Sequence, residues 1–195
     1  MEKIFIAIDT YDKKKGSHKL PYIDKSLDRG YEFLIGIHTK DSAEILVDEN
    51  YSVYSDIYSD FVPVYASKEN NNGKFVRQIL LSNRERESLT GQKVDRKVYD
   101  RSSLIYGNSS QPEFSNSNLF IDEQGGTIEI RLPWHLLNVT DPSSGQVLND
   151  IEGTPDIESI KTDAFNILVY YVKSSDNSAE FNSSEGDYKF SWKGW

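Results

Sequence analysis

Residues 127–145, TIEIRLPWHLLNVTDPSSG, constrain the fold more than any other stretch of the chain. Thr127 to Leu132 alternate in the two-residue period of a strand, with Ile128, Ile130 and Leu132 on one face and Thr127, Glu129 and Arg131 on the other. The run then meets Pro133-Trp134. Proline has no amide hydrogen for a ladder but suits the first position of a short helix, so Trp134, Leu136 and Leu137 are expected to form one apolar turn that plugs the open end of stacked sheets. Just upstream, Leu119-Phe120-Ile121 leads into Asp122-Glu123-Gln124-Gly125-Gly126, a tight turn with two glycines able to take positive φ. A strand, this turn and the alternating strand together predict a β-hairpin.

The same reading extends along the chain. Residues 3–9, KIFIAID, place Ile4, Ile6 and Ile8 on one face of a strand with one buried side, followed by turn chemistry at Asp12, Gly16 and Pro21. Residues 31–38, YEFLIGIH, and 43–48, AEILVD, predict two antiparallel strands joined by a short connection. In ENYSVYSDIYSDF, Tyr51, Tyr54, Tyr58 and Phe61 recur at spacings of three, four and three, which aligns the rings along a short helix or leaves an aromatic loop. Residues 61–66, FVPVYA, carry Pro63 and fit an edge strand or bulge; Phe75–Leu81 is another apolar run and Tyr99–Tyr106 a weaker one. Residues 108–118 are rich in Ser and Asn and predict an exposed loop. FNILVYYV at 165–172 is almost continuously apolar, the mark of a strand covered on both faces, and Tyr188 to Trp192 alternates again. The expected fold is an all-β antiparallel β-sandwich of jelly-roll type, about nine to eleven strands with one or two short helical turns, in a single domain over residues 1–195.

Charge and composition exclude several classes. Acidic residues outnumber basic ones 31 to 22, and the formal charge of −9 repels phosphate backbones and anionic lipid headgroups, so nucleic acid is not an expected partner. The small basic runs, Lys13-Lys14-Lys15 and the self-neutralised Arg84-Glu85-Arg86-Glu87, fit solvated loops. The chain has no cysteine, which removes disulfides, thiolate nucleophiles and sulfur-ligated metal sites. No stretch approaches the ~18 apolar residues of a membrane span. Because the chain begins almost inside a strand and stops at Trp195, it is expected to be a domain cut from a longer secreted or cell-surface protein.

Three stretches together, KIFIAIDTYD, YEFLIGIH with AEILVD, and IEIRLPWHLLN followed after a gap by FNILVYYV, resemble family 9 carbohydrate-binding modules and the related DOMON domains, with Leu132-Pro133-Trp134 at the elbow before the penultimate strand. The resemblance spans most of the chain. It implies a jelly-roll-like sandwich used as a non-catalytic accessory domain, for sugar in most relatives and haem in some DOMON domains. Haem held by Met and His needs an internal methionine, and the only one here is Met1. The pair of facing tryptophans that forms the sugar site of the best-known modules has no residue-by-residue match; Trp192 and Trp195 lie together near the end.

A sugar site needs flat ring faces with short polar side chains beside them. Tyr51, Tyr54 and Tyr58, flanked by Asp48, Asn50, Asp56 and Asp60, provide both, as do Trp192 and Trp195 in the aromatic C-terminal strand; the competing reading of each set is core packing. Paired carboxylates for glycoside hydrolysis could come from Glu32, Glu44 and Glu129, which sit in predicted strands, against the alternative of solvent-facing sheet positions. His18, His38 and His135 share no motif, and G-x-S-x-G, Walker, G-x-G-x-x-G and H-E-x-x-H patterns are absent. Asp9, Asp12, Asp122 and Glu123 fall at predicted loop ends and offer the hard oxygens that calcium takes. Asn108, Asn138 and Asn182 begin glycosylation sequons. The expected function is a carbohydrate-binding-like accessory module, not an enzyme, whose partners are carbohydrate or neighbouring domains; the rivals are a structural or protein-interaction domain and a glycoside-active enzyme.

Overall fold

The computed structural model describes residues 2–39, 41–54, 63–107, 118–181 and 188–191. The fold is all-β, with two short 3-10 turns, Glu49–Tyr51 and Trp134–Leu137, among the described residues. Its centre is a seven-stranded antiparallel sheet in which the strands follow the order Ala179–Phe181, Ala164–Val172, Lys3–Asp9, Phe33–Thr39, Ser42–Asp48 and Phe75–Arg77; Tyr188–Ser191 also pairs with Ala164–Val172. Among the described residues the remaining sheets are small, one of three strands and four of two. Among the described residues no helix is long and apolar enough to cross a membrane.

The sheet is apolar on both sides, and this differs from the one-faced reading of residues 3–9. Ile4, Ile6 and Ile8 face a core with Phe33, Ile35, Ile37, Ile45 and Val47, while Phe5 and Ala7 on the other side join a second core with Leu34, Leu168, Tyr170 and Val172. Consecutive buried residues at Phe33, Leu34 and Ile35 are therefore what this strand requires, because each successive side chain enters a different core. The expectation that residues 165–172 form a strand covered on both faces holds, within Ala164–Val172.

Different material covers the two faces. The first is closed by Leu119, Leu136, Leu137, Val139 and Val147, from the Leu119–Asp122/Thr127–Ile130 hairpin, the Trp134–Leu137 turn and the Val139–Asp141/Gln146–Leu148 pair. The second is closed by an irregular segment that brings Leu20, Ile23, Leu27 and Tyr31 across the sheet. Burying an aliphatic or aromatic side chain of this kind stabilises by about 1.5–3 kcal/mol, so both coverings contribute to holding the sheet.

The hairpin at 119–132 forms as expected, with Leu119 opposite Ile130 and Phe120 opposite Glu129. Only Gly126 of the two turn glycines takes positive φ, at 66°. Ile128 is exposed instead of buried, since the hairpin reaches beyond the core. At the elbow Pro133 caps the 3-10 turn in extended geometry and is not its first helical residue; Leu136 and Leu137 are buried, but Trp134 remains 39% exposed. Residues 63–66 are not in a strand, a result consistent with Pro63 lacking a ladder donor. The apolar run at 75–81 divides at Gln78, 1% exposed, whose amide N–H donates to Ser102 Oγ at 2.7 Å and whose Nε2 donates to the Leu136 carbonyl at 3.1 Å. There the chain leaves the central sheet and pairs Ile79–Asn83 with Lys97–Asp100.

The covering segment closes on itself at Gly30, whose N–H donates to the Lys13 carbonyl at 2.8 Å. A Cβ there would lie 1.8 Å from the Lys15 carbonyl oxygen, whereas a Cβ on Gly126 meets nothing within 4 Å. Gly30→Ala is expected to lower the thermal unfolding midpoint well below that of Gly126→Ala, which carries only left-handed strain of about 1–2 kcal/mol. Equal midpoints in calorimetry would show that the segment does not pack as described.

Candidate functional site

Three carboxylates gather at one end of the central sheet. Asp9 ends the Lys3–Asp9 strand, Glu32 immediately precedes Phe33–Thr39, and Asp48 ends Ser42–Asp48. The ladder brings them into line, with Glu32 N–H donating to the Ile8 carbonyl at 3.0 Å and Asp48 N–H to the Glu32 carbonyl at 2.7 Å. All three are completely buried.

Each acid is held differently. Asp9 pairs with Arg29 and accepts from the Tyr11 amide at 3.1 Å and from Asn166 Nδ2 at 3.4 Å. Glu32 Oε2 accepts from the Thr10 amide at 2.8 Å and Thr10 Oγ1 at 3.3 Å, and Oε1 accepts from Ser67 Oγ at 3.2 Å; these donors are all uncharged. Asp48 accepts from the Asn50 amide at 2.8 Å and from Asn70 Nδ2 at 3.0 and 3.2 Å. Burial pushes the Glu32 carboxyl well above the usual carboxylate range, and the Asp9 charge adds to it. Burial raises Asp9 against the opposing pull of Arg29, and raises Asp48 to about 6.

Paired acids with raised pKa values invite an acid/base reading, but glycoside chemistry needs carboxyls that flank a bond in an open cleft. Glu32 is 0% exposed and both its oxygens are engaged by Thr10 and Ser67, so the cluster ties the loops at residues 10 and 67 to the end of the sheet. Glu44 is half-buried between Arg77, at 2.7 Å, and His38, at 3.2 Å.

Tyr51, expected as a ligand-binding ring, is part of the core. It is completely buried, its hydroxyl donates to the Leu148 carbonyl at 2.6 Å, and its ring lies 5.8 Å from Phe33 and 5.9 Å from Tyr11. Of the expected aromatic stripe, the described residues show a 3-10 turn, Glu49–Tyr51, capped by Asp48 and followed by extended backbone at Ser52; Phe61 lies outside them. Tyr54 is half-buried; Tyr58, Trp192 and Trp195 lie outside the described residues.

Of the four acids expected to offer oxygens to calcium, three make local contacts and the fourth is exposed. Asp9 holds Arg29, Asp12 Oδ1 accepts from the Lys14 amide at 3.0 Å, and Asp122 Oδ1 accepts from the Gln124 amide at 3.0 Å in the hairpin turn, where Glu123 is exposed. Among the described residues no three His, Asp or Glu side chains converge to hold a metal ion. The Asn138 sequon is closed to a glycan, since Asn138 is buried and its Nδ2 donates to the Tyr51 carbonyl at 2.8 Å; Asn108 and Asn182 lie outside the described residues.

An open depression of about 200 Å³ lies on the outer face of the 119–130 hairpin, lined by Asn118, Leu119, Phe120, Glu129, Ile130 and Arg131. The register builds it. Phe120 stands opposite Glu129, and Arg131, two residues on, shares that face, while Leu119 and Ile130 turn inward to the core. Asn118 fixes the open end: its carbonyl accepts from the Arg131 amide at 2.7 Å, its Nδ2 donates to the Arg131 carbonyl at 3.2 Å, and its Oδ1 accepts from the Ile105 amide at 3.2 Å. Phe120 is half-buried and Glu129 and Arg131 are exposed. Neither charged side chain makes an ion pair with a described residue. Of these residues the sequence marks only Glu129 as a candidate; the signal for Phe120 is an aromatic side chain in the strand paired with the wet-face position Glu129, and it depends on register. Comparison of the chain with protein-family models, curated proteins and solved structures found no match to any of them.

The acid cluster has a consequence for stability against pH. A carboxyl whose folded pKa is raised binds its proton more tightly in the folded state, so its stabilisation is full below the ordinary value of 4.5 for Glu32 and is lost as pH rises through the folded value. Between pH 5 and 9 the wild-type unfolding midpoint is expected to fall. In Glu32→Gln, which keeps the shape without the charge, the fall is shallower and the midpoint at pH 9 exceeds that of wild type. Parallel curves for the two proteins in a pH series of thermal melts would contradict this assignment.

Proposed function

We propose that the chain is a non-catalytic carbohydrate-binding module that holds a sugar ring in the depression on the outer face of the hairpin. The observation that carries the reading is the half-buried Phe120 ring beside two side chains, Glu129 and Arg131, that make no ion pair among the described residues. The C–H face of a sugar stacks on an aromatic ring, and its hydroxyls need acceptors and donors around the rim. Glu129 accepts only and Arg131 donates only, so a ligand that does both satisfies the pair. Presenting the half-buried Phe120 ring on a strand fixes its position and lowers the entropy cost of binding. The resemblance of three stretches to carbohydrate-binding modules agrees with this reading, although the ring that serves is Phe120 and not Tyr51.

A second reading, a domain that packs against neighbours in a longer chain, is favoured by aromatic exposure at the sheet edge. Phe181, Tyr188 and Phe190 are 36%, 51% and 46% exposed there, in strands that have a neighbour on one side only among the described residues.

Titration calorimetry against a broad panel of oligosaccharides is expected to find a ligand whose affinity falls about tenfold or more in Phe120→Ala, the loss of one stacking contact. The unfolding midpoint should change little, because this ring points away from the core. Flat heats across the panel, or full affinity in Phe120→Ala, would favour the edge-packing reading.

A further inference from the structure

The two charges beside Phe120 carry a statement about which sugars fit. Glu129 and Arg131 lie two residues apart on one strand face, so their backbones are roughly 7 Å apart, and neither is neutralised by a described side chain. A ligand centred over Phe120 meets both at once. An anionic sugar paired with Arg131 brings its carboxylate close to Glu129, and a cationic amino sugar paired with Glu129 brings its ammonium close to Arg131. Each gains one attraction and suffers one repulsion. An uncharged sugar suffers neither, because one hydroxyl donates to the carboxylate while a neighbouring one accepts from the guanidinium.

The surroundings add to this balance. The formal charge of −9 places a repulsive field before any anionic ligand, felt within the ~8 Å screening length of physiological salt. The depression, at about 200 Å³, lies below the ~300–1,000 Å³ of pockets that enclose drug-sized ligands, so it accommodates one ring. A zwitterion such as a free amino acid would engage both charges, but it lacks the ring of hydroxyls that fills the rim.

We propose that Glu129 and Arg131 act as an opposed pair of specificity-determining residues that select a single uncharged sugar unit over uronates and amino sugars. This rests on the reading of the depression as a sugar site. It has a signature that a merely structural pair lacks: removing either charge redirects the preference. Glu129→Gln turns the site towards uronates, and Arg131→Gln turns it towards amino sugars, while the stacking ring remains.

The test is titration calorimetry with matched methyl glycosides that differ only in charge, a neutral hexoside, the corresponding uronide and the corresponding 2-amino sugar, in gluco, galacto and manno configurations. Phenylalanine serves as the zwitterionic probe. In the wild-type protein the neutral member of the series that binds is expected to be tightest, by about fivefold or more, with an affinity insensitive to added salt. The uronide should overtake it in Glu129→Gln and the amino sugar in Arg131→Gln. Thermal melts confirm that both variants are folded, and Phe120→Ala confirms the site. Tighter wild-type binding of a charged sugar, affinities equal within about twofold, or an unchanged order in both variants overturns the selection proposal while leaving the sugar site in place. Absence of binding by every sugar, or tighter binding of phenylalanine, overturns the sugar reading as well.

Discussion

A sheet whose middle strands are apolar on both sides must be covered twice, and most of this structure follows from that constraint. Phe33, Leu34 and Ile35 enter opposite cores in turn, and Ala164–Val172 and Lys3–Asp9 repeat the pattern beside them. Leaving either face in water would forfeit on the order of 1.5–3 kcal/mol for each large side chain. One covering is made of hairpins and a 3-10 turn, the other of the irregular segment that carries Leu20, Ile23, Leu27 and Tyr31.

Double coverage brings polar groups indoors. Loops that fold back over a sheet carry backbone donors and acceptors that must be satisfied, and here side chains at the strand ends do it. Glu32 takes the Thr10 amide and the Ser67 hydroxyl, Asp48 the Asn50 amide, and Tyr51 the Leu148 carbonyl. The electrostatic cost is visible in the raised carboxyls of Glu32 and Asp48. These acids act as fastenings, which leaves the reactive-looking cluster and the open ligand-sized depression at separate places in the fold.

Much of the architecture was legible in the sequence because it is written in local period. The 119–132 hairpin, the 33–48 hairpin and the twice-covered strand at 164–172 all show in alternation, turn glycines or continuous apolar runs. What escaped reading has no local trace. The second core is closed by a segment without period, so residues 3–9 look one-faced. Glu32 occupies what resembles a wet strand position, and its burial depends on Thr10 and Ser67, 22 and 35 residues away. The spacing of Tyr51, Tyr54 and Tyr58 fits a short helix or an aromatic loop and does not show that the first ring, after the 3-10 turn capped by Asp48, drops into the core. The depression depends on cross-strand register, which places Phe120 opposite Glu129; an alternating pattern predicts the faces but not which side chains meet.

The most direct measurement is a map of backbone amide shifts during titration of the isotope-labelled protein with a neutral oligosaccharide. Binding on the outer face of the hairpin predicts saturable shifts concentrated at Asn118–Phe120 and Glu129–Arg131, with the amides of Thr10, Glu32 and Asp48 unmoved. Saturable shifts centred on the Asp9, Glu32 and Asp48 end of the sheet, or no shifts at any concentration, would contradict it.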